Sequence, residues 1–145
     1  MSTIFSRIIA GQIPSYKIAE NDRYFAFLDI NPIAEGHTLV VPKHEIDYFF
    51  DLDNADLSGI MLFSKKIATA LRLAVPCQRI GIAVVGLEVP HAHVHLVPLQ
   101  TIHDLDFTKP RLQFTPQQYQ SLTEGIRSKL PHNTATFLPD ADFLQ

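Results

Sequence analysis

His91, His93 and His95 alternate with Ala92, Val94 and Leu96 in the stretch Val89 to Pro98. Strict period-two alternation is the pattern of a strand with one face in a core, because side chains i, i+2 and i+4 share a face. The stretch therefore predicts a β-strand that lines three imidazoles along one side and anchors three aliphatic residues on the other. Packing does not require three histidines in a row. Imidazole exchanges protons near neutral pH, ligates metals and acts as a nucleophile. On residue types alone, a metal site and a phosphorus-attacking nucleophile are both open. Glu35, His37 and Asp29 are available as further ligands.

The surrounding chain supplies a sheet for this strand. Thr3 to Ala10 reads as a short helix stopped by Gly11. Tyr16 to Glu20 and Tyr24 to Leu28 read as strands about an Asn21-Asp22 turn, Asp29 to Gly36 as a loop, and Thr38 to Val41 as a β-branched strand ended by Pro42. A long helix is predicted from Ala55 to Val75, capped by Asp53 or Asn54. Leu57, Ile60, Met61, Ser64, Ile67, Ala68, Leu71 and Ala74 mark its main apolar stripe, and Leu62, Phe63, Ala70 and Leu73 lie off it. A helix apolar on two sides is covered on two sides. Arg79 to Val85 and the histidine strand are close enough to pair antiparallel. Thr115-Pro116 opens a last helix that runs to about Lys129. The residues from Pro131 to Gln145 read as irregular. Strands flanking one long helix, without βαβ alternation, predict an α+β fold with an antiparallel sheet.

Composition excludes several classes. The chain has 145 residues, 46% hydrophobic and 19% charged, which fits one compact domain over 1–145. The core of that domain spans about 3–100, and 101–145 forms a C-terminal extension with a helix near 116–129. A net charge of −3 with scattered Lys and Arg gives no basic face for nucleic acid or an anionic membrane. No apolar run approaches the ~18 residues of a membrane span. Met1 to Ala10 lacks the layout of a signal peptide, and the one cysteine, Cys77, forms no internal disulfide, so a reducing cytoplasm is expected.

Four segments in order, Ile4 to Ser15, Asp29-Ile30-Asn31-Pro32, Gly36 to Lys43 and His91 to Leu96, resemble the histidine triad (HIT) family of nucleotide hydrolases and transferases, in particular its phosphoramidase branch. The resemblance covers roughly residues 3 to 98. It implies a five-stranded antiparallel sheet with a long central helix and a short N-terminal helix, joined across a homodimer with helix 55–75 at the interface. It implies cleavage at the α-phosphate of a purine nucleotide, with His93 as nucleophile and a covalent nucleotidyl-histidine intermediate. His95 and His91 complete the row, and His37 matches the family's upstream histidine. Asp29 matches the ribose-binding carboxylate, and Phe5, Ile8, Ile13 and Phe27 match apolar positions around the base. The resemblance implies no required cofactor and no metal. Alternatives are hydrolysis of dinucleoside polyphosphates, a nucleotide-binding regulatory protein with weak activity, and a metal-dependent enzyme.

One segment departs from the family pattern. Leu87 and Glu88 stand where polar residues that contact the phosphate are usual, and no Asn is near. A carboxylate there repels a phosphate unless it is turned away or paired. This places the leaving-group preference in question, together with the role of the chain beyond residue 100.

Overall fold

The computed structural model describes residues 2–131. In chain order the elements are α1 (Ile4–Ile9), β1 (Lys17–Glu20), β2 (Tyr24–Leu28), β3 (Thr38–Pro42), a short 3-10 turn at Phe49–Asp51, α2 (Asn54–Ala74), β4 (Arg79–Ala83), β5 (Val94–Leu99), a second 3-10 turn at Ile102–Asp104, and α3 (Pro116–Ser128). The five strands form one sheet in the order β1-β2-β3-β5-β4, every pair antiparallel. The α+β architecture expected from the sequence is the one observed. The segment beyond Pro131, expected to be irregular, lies outside the described residues.

β2 and β3 are buried along their whole length because the sheet is covered on both faces. One face carries Tyr24, Ala26, Leu28, Val40, Val94 and Leu96 against Ile60, Phe63, Ile67 and Leu71 of α2. The other carries Phe25, Phe27, Leu39 and Val41 against Phe5, Ile8 and Ile9 of α1. Alternation along each strand assigns neighbouring residues to opposite layers. α2 begins where Asp53 accepts from the Asp56 N–H. Its buried side includes Phe63 and Ala70, which the sequence set off the main stripe, whereas Met61 of that stripe is exposed. Leu62 and Leu73 are about two-thirds exposed, at 63% and 65%.

The histidine strand is shorter than the alternation predicted. β5 begins at Val94, so His91 and His93 precede it. The pairing of β3 with β5 ends at Val40–Val94. Pro42 has no N–H to extend a ladder, and its carbonyl is taken by the His91 ring at 2.8 Å. The Ala92 N–H turns away to the Ile46 carbonyl. The three imidazoles still lie on the α1 side of the sheet, where Phe5 packs edge-on against His91 and His93.

Candidate active site

Sheet register builds the floor. Phe27 pairs with Leu39 and Leu39 with His95, so these three form one row across β2, β3 and β5 on the α1 face. α1 closes over this row. Thr3 caps it by accepting from the Ser6 N–H, and Gly11, at φ +80°, turns the chain back toward Ile13. The result is a cavity of about 350 Å³ whose walls include Phe5, Ile8, Ile13, Phe27 and Leu39, with Asp29 at one side and His93 and His95 at the end. A volume in this range and an apolar lining with few polar groups suit a small organic ligand. A second space of about 220 Å³ continues past His93 and His95 to Gly86, Leu87, Glu88, Phe107 and Arg111.

Hydrogen bonds assign the proton on each imidazole. A neutral imidazole has one donor nitrogen and one acceptor. The Ile33 N–H donates to His37 Nδ1 at 3.1 Å, so His37 carries its proton on Nε2. That proton goes to His95 Nδ1, 2.9 Å away. His95 therefore holds its own proton on Nε2. His93 Nδ1 lies 2.7 Å from the His91 carbonyl, which only accepts, so Nδ1 is the donor and Nε2 keeps its lone pair. His91 Nε2 donates to the Pro42 carbonyl, and its Nδ1 accepts from the Thr3 hydroxyl at 2.8 Å. The His93 and His95 rings meet edge-on at 4.9 Å. The site thus joins a bare nitrogen on His93 to an N–H on His95.

All four imidazoles are held below the ordinary value, chiefly by burial. His37 and His95 are pushed down to about 3, and the neighbouring positive charges that would form at His93 and at each other add to the effect of burial on His95. For His93 and His91 burial outweighs the bonds to the His91 and Pro42 carbonyls, and the carboxylates Asp29 and Glu88 act on His93 in the opposite sense. All four are neutral near pH 7, as the proton assignment requires.

Asp29 bridges the two spaces. One oxygen accepts from the Asn31 N–H at 2.8 Å, the ordinary duty of a turn aspartate. The other lies 3.6 Å from His37 Nε2. Asp29, His37 and His95 bring one ligand atom each within 4.8 Å of one another, which is the spacing of a metal site. The proton assignment opposes it. His37 Nδ1 accepts a backbone N–H, so Nε2 of the neutral ring is protonated and has no lone pair for a metal.

The family described as HIT domain matches residues 10–102. The chain belongs to the HIT family. It is 42% identical over 67% of its length to an uncharacterised HIT-like protein of Mycoplasma genitalium, covering 72% of that protein. It is 32% identical over 90% of its length to the adenosine 5'-monophosphoramidase hnt1 of Schizosaccharomyces pombe, covering 99% of that protein. A zinc-bound histidine triad family protein from Mycobacterium smegmatis superposes with a TM-score of 0.78 at 27% identity, covering 94% of this chain and 98% of that one.

Every site residue that the family resemblance suggested reaches the cleft or its support, whereas Glu35, offered as a metal ligand, lies apart beside Thr115 and Gln118. Phe5, Ile8, Ile13, Phe27, Asp29, His93 and His95 line it. His37 and His91 stand behind it, 1% and 0% exposed, and act on the other two through bonds. Gly36, just before His37, has a φ of +90°, which strains any other residue, and an added Cβ there would press on Leu71, Val75 and Pro98 at 3.1 to 3.2 Å. Sequence reasoning missed the groups that hold His91. Thr3 bonds its ring, and Glu45 accepts from the Thr3 N–H at 3.1 Å and the Ser6 hydroxyl at 2.6 Å. It also missed Phe107, which packs on His95 at 4.6 Å and on His37 at 6.0 Å, and Arg111. A threonine at a helix start is the signal that could have found Thr3, which the sequence reading placed inside the helix; Glu45, Phe107 and Arg111 belong to no periodic pattern.

Proposed function

We propose that this HIT protein is a nucleotide hydrolase that cleaves purine nucleoside phosphoramidates at the α-phosphorus. The observation that carries the reading is the pairing of a bare His93 Nε2 with a protonated His95 Nε2 at the end of an apolar cavity. The purine lies between Phe5, Ile8, Ile13 and Phe27, and Asp29 accepts from the ribose hydroxyls. His93 Nε2 attacks phosphorus as the P–N bond to the leaving amine breaks. His95 Nε2–H hydrogen-bonds the departing nitrogen, which takes its proton from solvent and leaves as the neutral amine, while His95 stays neutral. The nucleotidyl-imidazolium keeps its Nδ1–H on the His91 carbonyl. Water then attacks phosphorus, breaks the bond to His93 and releases a proton to solvent. His37 holds His95 in the required tautomer. No step needs a metal. The 32% identity to a monophosphoramidase supports the substrate class.

A second reading, a nucleotide-binding regulatory protein with weak activity, draws on Glu88, whose charge stands on the wall a phosphate must approach. Turnover of adenosine phosphoramidate and diadenosine polyphosphates, wild type against His93→Ala, separates the readings. The hydrolase reading expects faster turnover of the phosphoramidate, a trapped adduct on His93 by mass spectrometry, and a loss on the order of 10³-fold or more in the variant. Full activity in His93→Ala sinks it. Binding without turnover favours the regulatory reading, and preference for the polyphosphate moves the substrate class. Activity abolished by chelation restores the metal.

We further infer a homodimer built on α2, because Met61, Leu62 and Leu73 are exposed there, and a cytoplasmic location. No described helix is long and apolar enough to cross a membrane.

A further inference from the structure

The wall that receives the phosphate is poor in positive charge. Leu87 is 88% exposed and brings no donor, and Glu88 brings a negative charge to both spaces. The histidines are neutral. Among the described residues that line the two spaces, Arg111 is the only lysine or arginine. It lines both, so it stands where the nucleoside side meets the leaving-group side, together with His93, His95 and Asp29. It lies beyond residue 102, where the family match ends, on the segment that runs from β5 to α3.

Arg111 is set in place from both sides. Its Nη1 donates to the Asn31 carbonyl at 2.9 Å and its Nη2 to the Phe107 carbonyl at 3.2 Å. The segment itself is tied down by the Leu112 N–H on the Pro32 carbonyl and by Phe107 against His95. A guanidinium has five N–H donors in a rigid fork. These two bonds leave donors for an anion. Its charge is near enough to His95 and His37 to help hold both neutral.

We propose that Arg111 is the phosphate-binding cation of this cleft and makes the protein select phosphorylated nucleosides over uncharged ones. The inference rests on the nucleotide reading above. It assigns to the C-terminal segment a donor that the loop before the triad does not supply.

Calorimetric binding of AMP and of adenosine, to wild type, Arg111→Gln and Arg111→Lys, tests it. The expected result is a wild type that prefers AMP, and an Arg111→Gln variant that loses about tenfold or more in AMP affinity while binding adenosine within about twofold. Arg111→Lys keeps the charge without the fork, so its AMP preference falls by about threefold or more. This variant decides the matter if the Gln variant does not fold. A residue that only anchors the segment lowers both affinities together, and that outcome overturns the proposal. Equal AMP binding by all three proteins overturns it and leaves the nucleotide reading standing. A wild type that binds neither ligand overturns the nucleotide reading, and Arg111's role with it.

Discussion

The two walls of the cleft are made differently. The wall proposed to hold the base, hereafter the base wall, is part of the core: Phe5, Phe27 and Leu39 are 6%, 4% and 5% exposed and belong to the cluster between α1 and the sheet. The phosphate wall hangs on connections. Val85 and Leu87 are exposed at 44% and 88%, and Arg111 arrives from a segment with no regular structure. The base wall therefore cannot change without a cost in stability, whereas the phosphate wall can change its chemistry at little cost. Variation in leaving group belongs on the second wall.

Acid gives the largest test of this contrast. His37 and His95 are buried on the rigid side with folded values near 3, below the ordinary 6.5 they regain on unfolding. Between those values the unfolded chain binds more protons, so acid favours unfolding. The stabilisation is complete above about pH 6.5 and is lost as the pH falls toward 3. Two such groups give a slope of about 3 kcal/mol per pH unit once the pH is a unit below the unfolded value. Urea denaturation from pH 7 to 4 measures it, and His37→Asn flattens the curve. A flat curve in the wild type breaks the claim that the dyad is part of the rigid wall.

Truncation gives the next effect. Phe5→Ala removes ring contacts with Phe27, His91 and His93. It should cost about 3 kcal/mol, the low end for a buried phenylalanine because α1 is a short peripheral helix, and raise KM as well. Leu87→Ala on the other wall should stay within about 0.5 kcal/mol of wild type. Thermal and urea melts of the two variants compare the walls directly. Similar losses from both abolish the distinction.

What the sequence revealed follows the same division. Alternation was legible only in the histidine strand; β2 and β3, buried on both faces, read as apolar or β-branched runs, and the register is what puts Phe27 and His95 on one side. Thr115-Pro116 was legible because caps are local, and α3 carries the full reciprocal cap with Gln118. The row of histidines was legible, but not the division of labour within it. Whether an imidazole is a nucleophile or a support depends on what meets its other nitrogen, and His37 for His95, with Pro42 and Thr3 for His91, come from far away in the chain. Arg111 and Phe107 were hidden for the same reason. A loop residue that reaches a site across the fold leaves no period to read.

Glu88 offers the smallest effect and the sharpest one. It is exposed, lines both spaces, and its charge raises the His93 value against the pull of burial. In Glu88→Gln that upward influence is gone, so the acid limb of kcat/KM, already below pH 6.5, moves lower still. The repulsion of an incoming phosphate is relieved at the same time. An exposed charge acts through water, so KM for a phosphoramidate should fall by only about two- to fivefold, and less at high salt. Stability should not change. The KM and the acid limb respond through different atoms, one at the substrate and one at His93, and both must move if Glu88 faces the cleft. A KM that rises instead means that the carboxylate serves the site, by holding Arg111 or the leaving amine, and the phosphate wall is then as specifically built as the base wall.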